Sequence, residues 1–121
     1  MPIVEIEIVL KPNEIIQGEI VEELAEQLGE IFGSPKGTTW VKVRGLTHDH
    51  YAENGGMPDG VFPIFVSVLK SILPTSEEMQ KEVEMITGAV AQIFGRPSGN
   101  VHIIYQPDGR GRVAFGGKLV S

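Results

Sequence analysis

Residues 3–10 alternate, with Ile3, Glu5 and Glu7 set against Val4, Ile6 and Ile8. A period of two predicts a strand with charge on one face. The period then changes: over residues 14–32, Ile20/Val21, Leu24/Ala25, Leu28 and Ile31/Phe32 recur three or four positions apart, the apolar stripe of an amphipathic helix. Gly33 and Pro35 stop it, and a second strand is predicted over 39–46. Residues 63–70 are almost wholly apolar (Ile64, Phe65, Val66, Val68, Leu69), the pattern of a central strand covered on both sides. The next helix opens at Thr75, where a threonine N-cap and Glu78 three residues on form a capping box; Met79, Val83, Ile86, Val90 and Ile93 make its stripe. A strand over 101–106, the turn-rich Asp108-Gly109-Arg110-Gly111 and a short run over 112–115 close the pattern.

The second half repeats the first. Ile31-Phe32-Gly33-Ser34-Pro35-Lys36-Gly37 recurs 62 residues later as Ile93-Phe94-Gly95-Arg96-Pro97-Ser98-Gly99, Pro2-Ile3 returns as Pro63-Ile64, and Gly55-Gly56 returns as Gly116-Gly117. A repeat at a step of 61 to 62 residues implies two copies of one unit: about 2–58 and 63–121, within a single domain over 1–121. A strand, a crossover helix and a second strand make a parallel βαβ unit. Two such units give an α/β chain (α+β in some schemes): a four-stranded mixed sheet with two helices on one face. The other face is then bare, and oligomerisation is the economical cover. On it, Glu5 and Glu7 lie beside Trp40, Lys42 and Arg44, so that acids and bases on adjacent strands can pair.

Composition narrows the function classes. The chain has 121 residues, 41% hydrophobic and 21% charged, ample for a core and unlike a disordered chain. The absence of cysteine removes disulfide frames, thiolate metal sites and thiol nucleophiles. A net charge of −6 argues against nucleic acid as a partner, since phosphate binding needs a basic face. The N-terminus lacks the pattern of a signal peptide and no apolar run approaches the length that spans a bilayer, so no membrane partner and a cytoplasmic location are expected.

Pro2 ahead of a short apolar strand, two βαβ units and repeated Gly-Gly tails resemble the tautomerase superfamily over the whole chain, in its fused two-unit form. The resemblance implies a trimeric tautomerase-like barrel, removal of Met1, and the exposed Pro2 amine as the catalytic group, with no cofactor and no metal. It implies an isomerase whose Pro2 is a general base for keto–enol proton transfer on a small carbonyl or unsaturated acid. A free α-amino group titrates near 7.7–8.0, and an apolar pocket lowers it further, so an unprotonated base at neutral pH is chemically reasonable. A protonated Pro2 would instead be a general acid, as in decarboxylase and hydratase members, and an unprotonated amine could attack a carbonyl. Pro63 has its nitrogen in a peptide bond and can do none of this.

The arginine pair that grips dicarboxylates in the 4-oxalocrotonate tautomerase group falls at Pro12 or Leu73 and at Trp40 or His102; the pair of the malonate semialdehyde decarboxylase group falls at Leu73 and Thr75. Lysine does not replace a bidentate guanidinium, so a smaller or less charged carbonyl substrate is expected. Against the macrophage migration inhibitory factor group, the pocket lysine falls at Ser34, the pocket tyrosine at His102 and the main-chain amide donor at Ile72. Substrate-binding residues are therefore expected at His102, acting from a neighbour's strand, Trp40, Ser34 and Ile72. Lys11, Lys70, Arg110, Arg112 and Lys118 are further cations available near the Pro2 mouth. His48-Asp49-His50 has a metal-like look but is read as a loop. Two other classes stay open: a non-catalytic trimeric binding module on this scaffold, and a ferredoxin-like regulatory domain, also βαβ twice.

Overall fold

In a computed structural model describing residues 2–121, each copy folds as strand, helix, strand. The elements are β1 (Ile3–Leu10), α1 (Gly18–Phe32), β2 (Trp40–Thr47), β3 (Ile64–Leu69), α2 (Ser76–Phe94), β4 (Val101–Tyr105), β5 (Ala114–Phe115) and β6 (Lys118–Leu119). The first four strands form one sheet in the order β2-β1-β3-β4. β1–β2 and β3–β4 are parallel, as the crossover helices require, and the two copies join through antiparallel β1–β3. The last two strands are a separate hairpin.

Period two sorts the sheet's side chains. Val4, Ile6, Ile8, Ile64, Val66 and Val68 face the helices and are fully or almost fully buried against Leu24, Leu28, Ile86, Val90 and Phe94. The opposite face carries Glu5, Glu7, Lys42, Arg44, Phe65, His102 and Ile104. As expected, Lys42 Nζ pairs with Glu5 at 2.7 Å and Arg44 Nε with Glu7 at 3.1 Å, because β1 and β2 place Glu5 opposite Lys42 and Glu7 opposite Arg44. The Lys42 ammonium, by hydrogen bond and charge, holds the Glu5 carboxyl below its ordinary range.

Four expectations need correction. The first helix starts at Gly18 rather than at residue 14, because Glu14 is engaged elsewhere, as described below. Strand ends move by a residue, to Trp40–Thr47 and Val101–Tyr105. The run over 112–115 shrinks to Ala114–Phe115 and finds a partner in Lys118–Leu119 across a turn at Gly116-Gly117, both at positive φ. β3 is central but covered on one side only: Phe65 stays half-buried on the open face, with Tyr51 and His102 rings 5.8 and 5.5 Å from its own.

The helix ends follow local rules. Thr75 Oγ1 accepts from the Glu78 amide while the Glu78 carboxylate accepts from Thr75 N–H, closing the predicted box. Thr75→Ala is expected to lower stability by about 1 kcal/mol, read from the denaturation midpoint. α1 has no such side-chain cap at Gln17. Both helices end on a left-handed glycine, Gly33 and Gly95. No helix of the described residues is long and apolar enough to cross a membrane.

Candidate active site

Pro2 is buried at the start of β1, and its carbonyl accepts the Trp40 amide at 3.0 Å. Ile3 pairs with Trp40 on one side and Leu69 on the other, so one step further out Pro2 and Lys70 stand across from each other. Alternation puts both on the helix-facing side with Val4 and Val68. Three of the four expected binding residues gather at this end of the sheet. Trp40 opens β2; its indole N–H donates to Gly37 O at 3.0 Å and its ring meets Phe115 edge-on at 5.2 Å. The two rings, with Gly37 and Thr38, line a notch of about 210 Å³. Ser34 follows α1, its hydroxyl accepting from Thr39 Oγ1 at 2.7 Å. Ile72 lies exposed in the loop after β3. His102 lies elsewhere. It is opposite Phe65, which is opposite Glu7, five positions along β1 from Pro2 or about 17 Å at strand rise. Only a neighbouring chain can bring a His102 to this proline.

The repeat offers an internal comparison, because the corner around Pro63 is the counterpart of the corner around Pro2. In the second copy Arg96 occupies the place of Ser34: its amide donates to Ala91 O at 2.9 Å as that of Ser34 donates to Gly29 O at 2.9 Å. The Arg96 side chain turns inward, only 1% exposed. Its Nη1 and Nη2 fork onto the Glu14 carboxylate at 2.6 and 2.7 Å, and its remaining bonds reach Phe62 O, Phe94 O and Val9 O. Phe62 is the residue ahead of Pro63. Arg96 therefore fills the second corner and ties off the carbonyl that precedes its proline. The first corner has only a serine in that place, and that hydroxyl is taken by Thr39. Arg96 hydrogen-bonding, against the opposing effect of burial, holds the Glu14 carboxyl below its ordinary range.

A polar cluster lies under the Pro2 corner. Lys70 Nζ pairs with Glu82 Oε2 at 2.9 Å, Tyr105 donates its hydroxyl to Glu82 Oε1 at 2.6 Å, and the ammonium sits 5.1 Å from the centre of the Phe32 ring. Glu82 is buried. Burial, with the Glu82 carboxylate beside it, pushes the Tyr105 hydroxyl well above its ordinary range, so it remains a donor. Of the cluster, Glu82 had a sequence signal, since it falls on the apolar stripe of α2 four residues before Ile86. Arg96 had one too, as the basic residue at a position where the other copy has serine. The pairing with Glu14, 82 residues away, had none.

A groove of about 410 Å³ crosses the open sheet face between the ionic ladder and Phe65, Ser67 and Ile104. It is distant from Pro2 and belongs to the bare face of the sheet. Among the described residues no cluster of three or more His, Asp or Glu side chains is arranged to hold a metal ion, and His48–His50 is a 3-10 turn.

The architecture is the tautomerase fold, the one shared with macrophage migration inhibitory factor. The sequence matches no family model and no curated protein. Among solved structures, a macrophage migration inhibitory factor homologue from Prochlorococcus marinus superposes with a TM-score of 0.76 at 16% identity, over 98% of this chain and 99% of that one. Pt0534 inactivated by 2-oxo-3-pentynoate gives 0.76 at 15% identity over 98% and 95%. The Q0 fused 4-OT wild-type symmetric trimer gives 0.78 at 12% identity over 98% and 94%. At these identities the likeness is one of fold.

Proposed function

We propose that this chain is a working member of the tautomerase superfamily, an isomerase in which Pro2, freed of Met1, is the general base. The observation that carries the reading is the asymmetry of the two corners. The same place in the fold is plugged by a buried guanidinium beside Pro63, whose nitrogen is acylated, and left to a serine beside Pro2, whose nitrogen becomes a secondary amine once Met1 is gone. A buried site at a strand end disfavours the ammonium form and so favours a base at neutral pH. In the ketonisation direction the Pro2 nitrogen takes the enol hydroxyl proton and the O–H pair re-forms the carbonyl. The C=C pair then takes the proton back from the prolinium at carbon, with no net change in atoms or electrons.

The ligand class is a small, lightly charged carbonyl or enol compound. The Trp40–Phe115 notch supplies flat apolar walls at the same end of the sheet as the proline, and the two-arginine grip for a dicarboxylate is missing. The assembly is a homotrimer, supported by the bare sheet face with its exposed Ile104 and by the need for a neighbour to bring His102 to Pro2. One of the similar solved structures is itself a symmetric trimer.

The test is ketonisation of an aryl enolpyruvate by untagged protein, with loss of Met1 verified by mass, beside Pro2→Ala. A rate well above buffer that falls by at least about tenfold in the variant supports the reading. Equal rates for the two proteins reject Pro2 as the base and favour the acid-type or binding-module alternatives.

A further inference from the structure

The loop after β3 is held in an unusual way. The tail lies along it: Gly109 N–H donates to Lys70 O at 2.8 Å, Arg110 N–H donates to Ser71 O at 3.1 Å, and Leu73 N–H donates to Asp108 Oδ1 at 2.8 Å. Arg112 braces the same tail segment through its Nε to Asp108 O at 2.9 Å and its Nη2 to Pro107 O at 3.2 Å. The backbone on both sides of Ile72 is thus fixed. The Ile72 N–H between these ties has no acceptor among the described residues, and its side chain is 56% exposed. This free donor lies two residues past Lys70, the strand position across from Pro2.

In the other copy Pro12, the counterpart of Leu73 by the step that relates Pro2 to Pro63, has no N–H to tie, and it is the neighbouring Lys11 whose N–H donates to Glu14 Oε1 at 2.9 Å. That acid also takes the Arg96 fork in the closed corner. In the open corner the acid comes from the tail instead, and among the described residues Asp108 forms no ion pair. Its one side-chain bond is to the loop.

We infer that Asp108 is a positioning residue: by accepting the Leu73 N–H it fixes the 71–73 loop so that the Ile72 amide donates to the substrate oxygen that becomes negative when Pro2 moves its proton. The inference rests on the Proposed function reading. A preorganised backbone donor at a developing oxyanion acts mainly on the transition state, and its value depends on placement to within about 1 Å. Asp108 acts through the loop and does not itself touch the substrate.

The experiment compares wild type, Asp108→Ala, Asp108→Asn and Pro2→Ala in aryl enolpyruvate ketonisation, with hydrogen exchange of the 71–73 amides measured on the same proteins. The asparagine keeps a carbonyl acceptor for Leu73 N–H; the alanine does not. Expected are a fall in kcat of about 10–100-fold for alanine with a much smaller change in KM, rescue by asparagine to within about threefold, and faster exchange over 71–73 in the alanine variant alone. Wild-type kcat in Asp108→Ala while Pro2→Ala is impaired overturns the inference and spares the reading. So does a loss confined to KM, an asparagine variant as slow as the alanine one, or unchanged exchange over 71–73. Equal rates in wild type and Pro2→Ala overturn the reading and the inference together.

Discussion

One residue added ahead of Pro2 is expected to abolish ketonisation, leaving a rate indistinguishable from buffer, while the fold and melting temperature stay as in the wild type. The reason is chemical. Acylation delocalises the proline nitrogen's lone pair into a planar amide, which no longer takes up a proton near neutral pH. Pro2→Ala is a milder change, because alanine keeps an α-amine titrating near 7.7–8.0, so its rate falls without vanishing. The order wild type, then Pro2→Ala, then the extended protein distinguishes amine chemistry from a packing role for the ring. General-base catalysis accounts for about 10²–10⁴-fold in rate, so the gap between the first and the last should fall in that range. A tagged protein and one from which the tag and Met1 have been removed, assayed at equal concentration, make the comparison. An extended protein as active as the processed one would eliminate Pro2 nitrogen from the reaction.

Arg96→Ala is expected to cost about 3–5 kcal/mol, since removing one partner of a buried ion pair strands the other. In a chain of this size that lowers the melting temperature by about 12–20 °C, measured at fixed protein concentration. The guanidinium satisfies three backbone carbonyls besides the Glu14 carboxylate, and Arg96→Lys recovers little because an ammonium cannot fork onto a carboxylate. Lys42→Ala, which breaks a pair whose side chains are 68% and 52% exposed, should move stability by no more than about 1 kcal/mol. Acid separates the two further. The Glu14 carboxyl is held below its ordinary value of 4.5 in the folded protein, chiefly by its Arg96 hydrogen bond. Its stabilising contribution is therefore fully present above about that pH and is lost as pH falls through the lowered folded value. The stability gap between wild type and Arg96→Ala should accordingly narrow below about pH 4. A gap that stays constant down to pH 2 would show that the backbone bonds, rather than the ion pair, carry the difference.

Much of this was legible in the chain. The change from period two to period 3.6 and back, repeated once, dictated the sheet, the two helices on one face and the open face opposite. The β1–β2 charge ladder followed from alternation alone, and the Thr75 box from a four-residue spacing. What escaped depends on contacts remote in sequence. Glu14 has the look of a helical residue, and Arg96, 82 positions on, together with a local turn onto Lys11, holds it out of α1. The tail from Asp108 to Arg112 carried an obvious turn signal but no sign of the loop it ties down. Of the candidate site, Pro2, Trp40, Ser34 and Ile72 converge at one end of the sheet, whereas His102 is remote within its own chain because its strand runs parallel to β3 and starts at the far end.

The Arg96 fastener also bears on how the chain is made. It draws together Val9, Glu14, Phe62, Phe94 and Arg96, which leave the ribosome over most of the length of the sequence. A nascent chain halted at residue 58 has β1 with one edge unpaired, since that edge belongs to β3, and a Glu14 carboxylate without its guanidinium. Neither copy can finish alone: the first supplies the acid and the central strand, the second the base and the strand that seals it. The sheet and the Arg96 corner are therefore complete only once residues as late as Arg96 and the strand Val101–Tyr105 are available.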